Sequence, residues 1–295
     1  MATIGFYGDV EEAAMWQKTL ADLVPDCQVV DLLSDIGRQC DVALVWAPPP
    51  KVFTTLQNLK GIILQGQGVD HMMVDETVPR DIPLVRLVDP DMSDALSHWA
   101  ILNALDFWRN GPHYRSQQRQ HKWTPLTQRR SSGGIVGVMG VGAIGSVIAS
   151  RFAALGFQVR GWTRTPRSLD GVDMFAGIDR LGAFADGAEI IVSVLPLTPQ
   201  TTSIMNRDFF DRLAKGAFII NGGRGPQIDD DDLLAALDSG QLGGAALDVF
   251  RTEPLPADHL FWSHPKISVW PHIAAQTNPA TAAPQVADAI NALMA

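Results

Sequence analysis

The sequence predicts an α/β protein built on two parallel sheets. Three observations predict it. Short β-type runs alternate with helix-type segments along nearly the whole chain. One strand-to-helix junction is glycine-rich. A Ser131-Ser132-Gly133-Gly134 break separates two such alternations. Strands alternating with helices place helices on both faces of a parallel sheet, so each half reads as a doubly wound, Rossmann/flavodoxin-like layer. A length of 295 residues suits two domains.

In the first half, Ile4–Tyr7, Gln28–Val30, Val42–Trp46 and Gly61–Leu64 read as strands, with helices around Glu11–Leu23 and Val52–Leu59. This unit is expected to end near Leu87–Pro90. A long helical stretch follows from Ser93 to Arg109 and continues more raggedly to Lys122. Its apolar face carries Ala95, Trp99, Leu102, Leu105, Phe107 and Trp108, which can be buried in the chain's own core or against a partner subunit. In the second half the expected strands are Ile135–Met139, Gln158–Trp162, Ile190–Val194, Ala217–Ile220, Ala245–Asp248 and Ile267–Trp270. Helices are expected at Ile144–Leu155, Arg207–Leu213 and Asp230–Asp238, with a C-terminal helix near Ala280–Met294.

Composition narrows the function classes. Apolar residues make up 46% of the chain, enough to bury a core without covalent staples. The net charge of -9 gives no electrostatic footprint for nucleic acid or an anionic membrane, so any anionic ligand must be held by local groups. Cys27 and Cys40 belong to no CxxC or Cys/His cluster and are expected to be reduced thiols in a cytoplasmic protein. The chain runs straight into a strand without a leader pattern, and no run approaches the ~18–20 apolar residues of a membrane span. The seven histidines show no metal-ligand spacing, so no metal is expected.

The sharpest local signal is Val138-Met139-Gly140-Val141-Gly142-Ala143-Ile144-Gly145, which leaves a strand and opens a helix. Gly140 permits the tight turn, Gly142 lets backbone approach a pyrophosphate, and Gly145 lets helix and sheet pack closely. The unpaired N–H groups at Ala143 and Ile144 then face the phosphates. This is the pattern of a dinucleotide site. About 20 residues on, where an NAD site carries Asp or Glu, stand Thr163, Arg164 and Thr165, with Arg167 close by. An acidic side chain would repel a 2′-phosphate and an arginine fork can grip it, so NADP(H) is expected in preference to NAD(H).

Three residues fall just beyond expected strand ends: Arg224 in Asn221-Gly222-Gly223-Arg224-Gly225, Glu253 in Arg251-Thr252-Glu253-Pro254, and His272 in Trp270-Pro271-His272. Ligands of open α/β sheets bind outside the carboxyl ends of strands. Reduction of a 2-oxo acid needs a cation for the carboxylate, polarisation of the carbonyl and a proton donor. Arg224 can serve the first two, and His272 the third. Glu253, paired with His272, would stabilise the imidazolium.

Together with Leu195-Pro196-Leu197-Thr198-Pro199-Gln200-Thr201 and Leu247–Pro254, these motifs resemble the D-2-hydroxyacid dehydrogenase family over essentially the whole chain. Val45-Trp46-Ala47-Pro48-Pro49, Trp162–Thr165, Asp230–Gly240 and Glu253–Pro256 are most similar to the family's glyoxylate/hydroxypyruvate reductase group. The resemblance implies a substrate-binding domain of residues 1–92 plus 276–295 and an NAD(P)-binding domain of residues 93–275, with the active site in a cleft between them. It implies that Arg224 binds substrate, that His272 is the acid/base and that Glu253 is its partner. Leu195, Pro196, Thr201, Asn221, Gly222, Gly223 and Asp248 join the implied cofactor set, Asp248 at the nicotinamide carboxamide. Backbone N–H groups of Gln67 and Gly68, in Gln65–Asp70, would receive the substrate carboxylate, with Trp46 and Trp270 as pocket walls. A smaller residue is more usual at position 67. The implied product is a D-2-hydroxy acid, and the implied assembly is a homodimer through the helix and arm of residues 93–130.

Two rival readings stay open from the sequence. One is a related enzyme of this architecture, either with the same chemistry on bulkier 2-oxo acids or a formate or phosphite dehydrogenase, although formate dehydrogenases typically carry Gln where Glu253 stands. The other is a non-catalytic module that senses NAD(P)H.

Overall fold

A computed structural model describes residues 2–295. The chain divides into two compact units. One comprises the residues up to Met92 together with Gln276–Ala295, and the other is Ser93–Ala275.

The first unit holds five parallel strands, β1 (Ala2–Phe6), β2 (Cys27–Asp31), β3 (Val42–Val45), β4 (Gly61–Leu64) and β5 (Leu84–Arg86), in the order β2-β1-β3-β4-β5. This is the flavodoxin-like order, and it reverses direction between β1 and β3. The residues of β3 and β4 are buried throughout, as expected of parallel strands covered on both faces. Helix α1 (Val10–Leu20) starts where the Asp9 side chain accepts the Glu12 N–H at 2.7 Å, with Glu11 and Glu12 in its first turn. Its Trp16 and Leu20 are buried with Ala282, Ala283, Val286, Ala287 and Ile290 of the C-terminal helix Pro279–Met294. Removing a core side chain the size of Trp16 costs about 3–5 kcal/mol. The short helix α2 (Asp70–Val74) follows the Gln65–Val69 loop at the carboxyl end of β4.

The second unit opens with α3 (Pro90–Trp108) and α4 (Gly111–Arg119) and continues as a seven-stranded parallel sheet. Its strands are β6 (Ile135–Met139), β7 (Gln158–Thr163), β8 (Val172–Ala176), β9 (Ile190–Ser193), β10 (Ala217–Asn221), β11 (Leu242–Leu247) and β12 (Ile267–Val269). The order β12-β11-β10-β9-β6-β7-β8 is the 3-2-1-4-5-6 dinucleotide fold with one added edge strand. The crossovers carry α5 (Ala143–Ala154), α6 (Leu181–Ala185), α7 (Arg207–Phe210) and α8 (Asp230–Ser239). Asp229 caps α8 by accepting the Asp232 N–H at 3.2 Å, and Gly240 closes it in the left-handed conformation.

Several elements differ from their sequence reading. Val52–Leu59 is not an α-helix but one 3₁₀ turn, Val52–Thr55. The Thr54 and Thr55 hydroxyls bond back to Lys51 O (2.8 Å) and Val52 O (2.7 Å), competing with helix propagation. The ragged helix toward Lys122 is a separate helix, α4, because Asn110 turns left-handed before Gly111-Pro112. Strands β5 and β8 escaped the pattern because they lie at sheet edges and carry Arg86 and Asp173 among their apolar residues. Strand β11 begins three residues earlier than expected, its glycines Gly243 and Gly244 masking a buried strand. The tryptophans of α3 are core residues: Trp108 packs edge-on to Phe157 and Trp99 edge-on to Trp270. They are therefore not available to a partner subunit, whereas Leu102 on the same helix is 58% exposed.

Candidate active site

In the second unit the sheet sorts the candidate residues by strand. Across the order β12, β11, β10, β9, β6, β7, the carboxyl ends deliver in turn His272, then Asp248 and Glu253, Arg224, Leu195–Pro196, the Gly140–Gly145 loop, and Thr163–Arg164. The chemistry-bearing trio thus occupies one wing, and the glycine loop lies at the reversal of strand order between β6 and β9.

His272 Nδ1 and Glu253 Oε2 are 2.7 Å apart, and Glu253 Oε1 accepts the Phe250 N–H at 2.8 Å. Burial pulls the Glu253 carboxyl up, but the hydrogen bonds from His272 and Phe250 and the charges of His272 and Arg224 hold it below its ordinary pKa. The Glu253 hydrogen bond raises the His272 pKa, against burial and the Arg224 charge, and Glu253 and Asp248 add to the rise by their negative charge. Both groups are half-buried. Each partner thus favours the charged form of the other, carboxylate beside imidazolium.

Arg224 is set by a network that the sequence did not disclose. Its backbone N–H donates to Gln227 Oε1 (3.2 Å), and its Nη1 donates to Gly223 O (2.8 Å). Gln227 is fully buried; its amide also donates to Leu195 O (2.7 Å) and its oxygen accepts from Ser193 Oγ (3.1 Å). It therefore ties the β10 loop to the β9 loop. Asn221, likewise fully buried, accepts the Gly223 N–H (3.1 Å) and donates to Arg224 O (3.1 Å). A side chain at Gly225 would overlap the Phe250 carbonyl, so the Arg224 loop lies directly on the Glu253 loop.

Asp248 is 2% exposed, and its carboxylate oxygens accept the N–H groups of Ile273 (2.8 Å) and Ala274 (3.0 Å). Burial nevertheless lifts its pKa, outweighing those two bonds and the His272 charge. Its visible work is to hold the His272 turn, a role that strand-end spacing alone did not suggest. Trp270 is half-buried and donates to Ser268 Oγ at 3.0 Å.

The cofactor wing is built as a cradle. Gly140 has a φ of 95°, open only to glycine at low cost. A side chain at Gly145 would overlap Gly140 O, and one at Gly142 would meet nothing but open space. Gly142 caps α5 with no side-chain hydrogen bond, so the first N–H groups of the helix, at Ala143 and Ile144, face outward. Arg167 Nη1 donates to Val141 O at 2.5 Å, fastening the β7 loop to the glycine loop. Thr163 Oγ1 donates to Thr165 O (2.8 Å), and Arg164 is exposed and engages no protein partner among the described residues. Beyond β9, Thr201 Oγ1 donates to Pro196 O (2.8 Å) and shapes the turn after Leu195. These residues fit a dinucleotide whose ribose carries a phosphate: open amides for the pyrophosphate, and a cation rather than a carboxylate after β7.

In the first unit, the Gln65–Asp70 loop is tied by Gln65 N–H to Val45 O (2.9 Å) and by Thr277 Oγ1 to Gln65 O. A side chain at Gly66 would overlap the Trp46 ring, which lies against the loop. Gln67 Nε2 is buried with no hydrogen-bond partner among the described residues.

Residues 101–274 match the model of the D-isomer specific 2-hydroxyacid dehydrogenase NAD binding domain. The chain belongs to the D-isomer specific 2-hydroxyacid dehydrogenase family. It is 40% identical to glyoxylate/hydroxypyruvate reductase A of Serratia proteamaculans, over 98% of this chain and 94% of that one. Among solved structures, a D-isomer specific 2-hydroxyacid dehydrogenase from Xanthobacter autotrophicus Py2, in complex with NADPH and MES, superposes with a TM-score of 0.93. It is 37% identical, covering 99% of this chain and 95% of the other. The NADPH-dependent glyoxylate/hydroxypyruvate reductase of Sinorhizobium meliloti, in complex with NADP and sulfate, gives 0.90 at 34% identity, covering 99% and 94%. Family membership makes this chain an NAD(P)-dependent oxidoreductase with two parallel-sheet α/β units. Among the described residues, no helix is long and apolar enough to cross a membrane.

Proposed function

We propose that this chain is an NADPH-preferring reductase of small 2-oxo acids, glyoxylate and hydroxypyruvate first, producing D-2-hydroxy acids. The observation that carries it is the 2.7 Å His272–Glu253 pair beside an Arg224 loop that rests on the Glu253 loop. The names of the relatives supply the substrate class, and the cation after β7 supports the phosphate-bearing cofactor.

The bound dinucleotide supplies the hydride. Arg224 offers its planar fork to the substrate carboxylate and polarises the carbonyl as charge grows on oxygen. With Nδ1 held by Glu253, His272 has Nε2 left to give its proton to that oxygen. Glu253 stabilises the imidazolium before transfer. General acid help of this kind is typically worth ~10²–10⁴-fold. The amides of Gln67 and Gly68 are assigned to the substrate carboxylate, and Trp46 and Trp270 to the walls around it. Residues up to 92 with 276–295 form the substrate-binding domain in this reading, and 93–275 the NAD(P)-binding domain. Leu195, Pro196, Thr201 and Asn221–Gly223 line the cofactor side, and Asp248 faces the carboxamide.

The proposed assembly is a homodimer through the outer face of α3 and the extended arm beyond α4. Trp123, on that arm, is 97% exposed, and an indole left wholly in water gains by burial against a second copy. The proposed location is the cytoplasm, consistent with Cys27 and Cys40 as free thiols, the Cys40 thiol pushed up by burial to about 11.

The deciding experiment is a rate panel with NADPH and NADH against glyoxylate, hydroxypyruvate, pyruvate and a branched or phenyl-substituted 2-oxo acid. Fast NADPH-dependent turnover of the first two supports the whole reading. Turnover confined to the bulky acids keeps the chemistry and overturns the substrate. NADPH binding without turnover of any acid overturns the reductase.

A further inference from the structure

Glu253 sits on an exposed segment, yet both of its oxygens are aimed. Two bonds of its own do the aiming, and each depends on where the Phe250–Glu253 turn lies. The turn is fixed on one side by the Arg224 loop, since Gly225 lies on the Phe250 carbonyl and the Arg251 amide. On the other side it is fixed by the Arg251 side chain. Arg251 Nη2 donates to Ile228 O at 2.6 Å, and its Nε stands 3.6 Å from Asp230 Oδ2 in the first turn of α8. Phe250 itself is buried beside Phe261, and Arg251, Leu255, His259 and Asp230 join these two in lining a cavity of about 120 Å³ at the segment, so Arg251 is the polar anchor of a turn whose apolar anchor is Phe250.

We propose that Arg251 is a positioning residue for the Glu253–His272 pair: its anchorage to Ile228 O and Asp230 holds the turn in which Glu253 bonds Phe250 N–H with one oxygen and His272 with the other. The proposal rests on the reductase reading for its kinetic consequence, but its structural claim concerns the pair alone. The charged groups facing the pair are Asp248 and Arg224; those facing the anchor are Asp230, Asp229 and His259. A surface arginine that merely added stability would leave the pair's proton affinity untouched. A positioning arginine would not, because loosening the turn lengthens the Glu253–His272 bond that lifts the histidine pKa.

The test replaces Arg251 by Met, which keeps the stem and removes the fork, and by Lys, which keeps the charge. His272 is titrated in the full-length apoprotein by NMR of ¹⁵N-labelled histidine, alongside kcat/KM against pH for NADPH-dependent reduction and the melting temperature. In R251M the His272 pKa should fall by about half a unit or more toward its ordinary value, and the alkaline limb of the rate should move with it. At pH 7–8, kcat should fall about tenfold with a smaller change in KM, and R251K should recover part of both. Adding R251M to an E253Q background should shift the titration no further. An unchanged His272 titration in R251M overturns the proposal, whatever the melting temperature does. If R251M does not fold, D230N, which weakens the same anchor, should lower the His272 pKa in the same direction, and failure to do so is equally fatal. A wild-type protein without turnover would sink the reductase reading while leaving the titration to decide Arg251.

Discussion

The carboxylate of Asp248 holds the backbone turn that carries His272. The His272 N–H donates to Asp248 O at 2.9 Å, and the next two amides, Ile273 and Ala274, donate to the two carboxylate oxygens at 2.8 and 3.0 Å. His272 itself has a φ of 53°, in the left-handed region, which costs an L-residue roughly 1–2 kcal/mol. Three bonds to one buried aspartate offset that cost and present the imidazole to Glu253. Asp248→Asn exchanges one acceptor for a donor facing an N–H group. It should lower stability by about 1–3 kcal/mol and depress kcat as His272 leaves its position. Thermal unfolding and single-substrate kinetics check this; a melting temperature and kcat equal to wild type would show that the turn stands without it.

The pH dependence has a definite sign. The Glu253 hydrogen bond raises the His272 pKa, and reduction needs the protonated imidazole. The reductive rate should therefore fall as pH rises through that elevated pKa. Glu253→Gln removes the charge that lifts it, so the alkaline limb should move to lower pH. Oxidation of a 2-hydroxy acid needs the neutral imidazole and should show the opposite slope. Rate profiles in both directions decide; a Glu253→Gln limb that stays in place would remove the pair from the proton transfer.

Cofactor choice should rest on Arg164. A charge-assisted bond to phosphate contributes about 1.5–3 kcal/mol, so Arg164→Ala should raise KM for NADPH by about tenfold or more. KM for NADH should barely change. Measuring both constants on one preparation is enough, and an unchanged NADPH/NADH ratio would remove Arg164 from the ribose site. Arg167→Ala is expected to differ, weakening both cofactors, because Arg167 fastens the glycine loop at Val141 O.

Gln67 bears on substrate range. Its Nε2 lies buried without a hydrogen-bond partner among the described residues, an arrangement that costs stability unless an acceptor such as a ligand oxygen completes it. Gln67→Met, similar in size but without the donor, should be neutral or slightly stabilising in the free protein. It should lower kcat/KM most for oxygen-rich acids such as hydroxypyruvate, by about 10-fold. Equal losses across the panel would mean that Gln67 only shapes the loop.

Trp123 should report on assembly. If its indole is covered by a second copy, Trp123→Ala should weaken the dimer by about 2 kcal/mol or more, visible as dissociation on dilution in sedimentation experiments. A wild-type protein that sediments as a monomer at micromolar concentration would withdraw the dimer altogether.

Local pattern was enough for much of this protein. Strands such as Ile135–Met139 and Gly61–Leu64 are continuous apolar runs, and parallel strands buried on both faces have to be. The glycine loop was legible because Gly140 sits at a positive φ and Gly145 packs on Gly140 O, demands that only glycine meets at low cost. Arg224, Glu253 and His272 stood out as candidates because each follows an expected strand end, where open sheets place their ligands. Sequence position could not show what holds them there. Gln227, Asn221 and Asp248 look like ordinary polar residues until folding buries them. Gln227 and Asp248 find partners in other turns, at Leu195, Ile273 and Ala274, while Asn221 braces its own turn at Gly223 and Arg224. The tryptophans of α3 fitted a core or a partner subunit equally well; packing against Phe157 and Trp270 decided for the core. Residue type and spacing determined which chemistry this chain carries, because those are local properties. Proton affinities, loop anchorage and the fate of each apolar face were decided by the tertiary structure, because burial, and bonds such as His272–Glu253 and Gln227–Leu195, join segments distant in sequence.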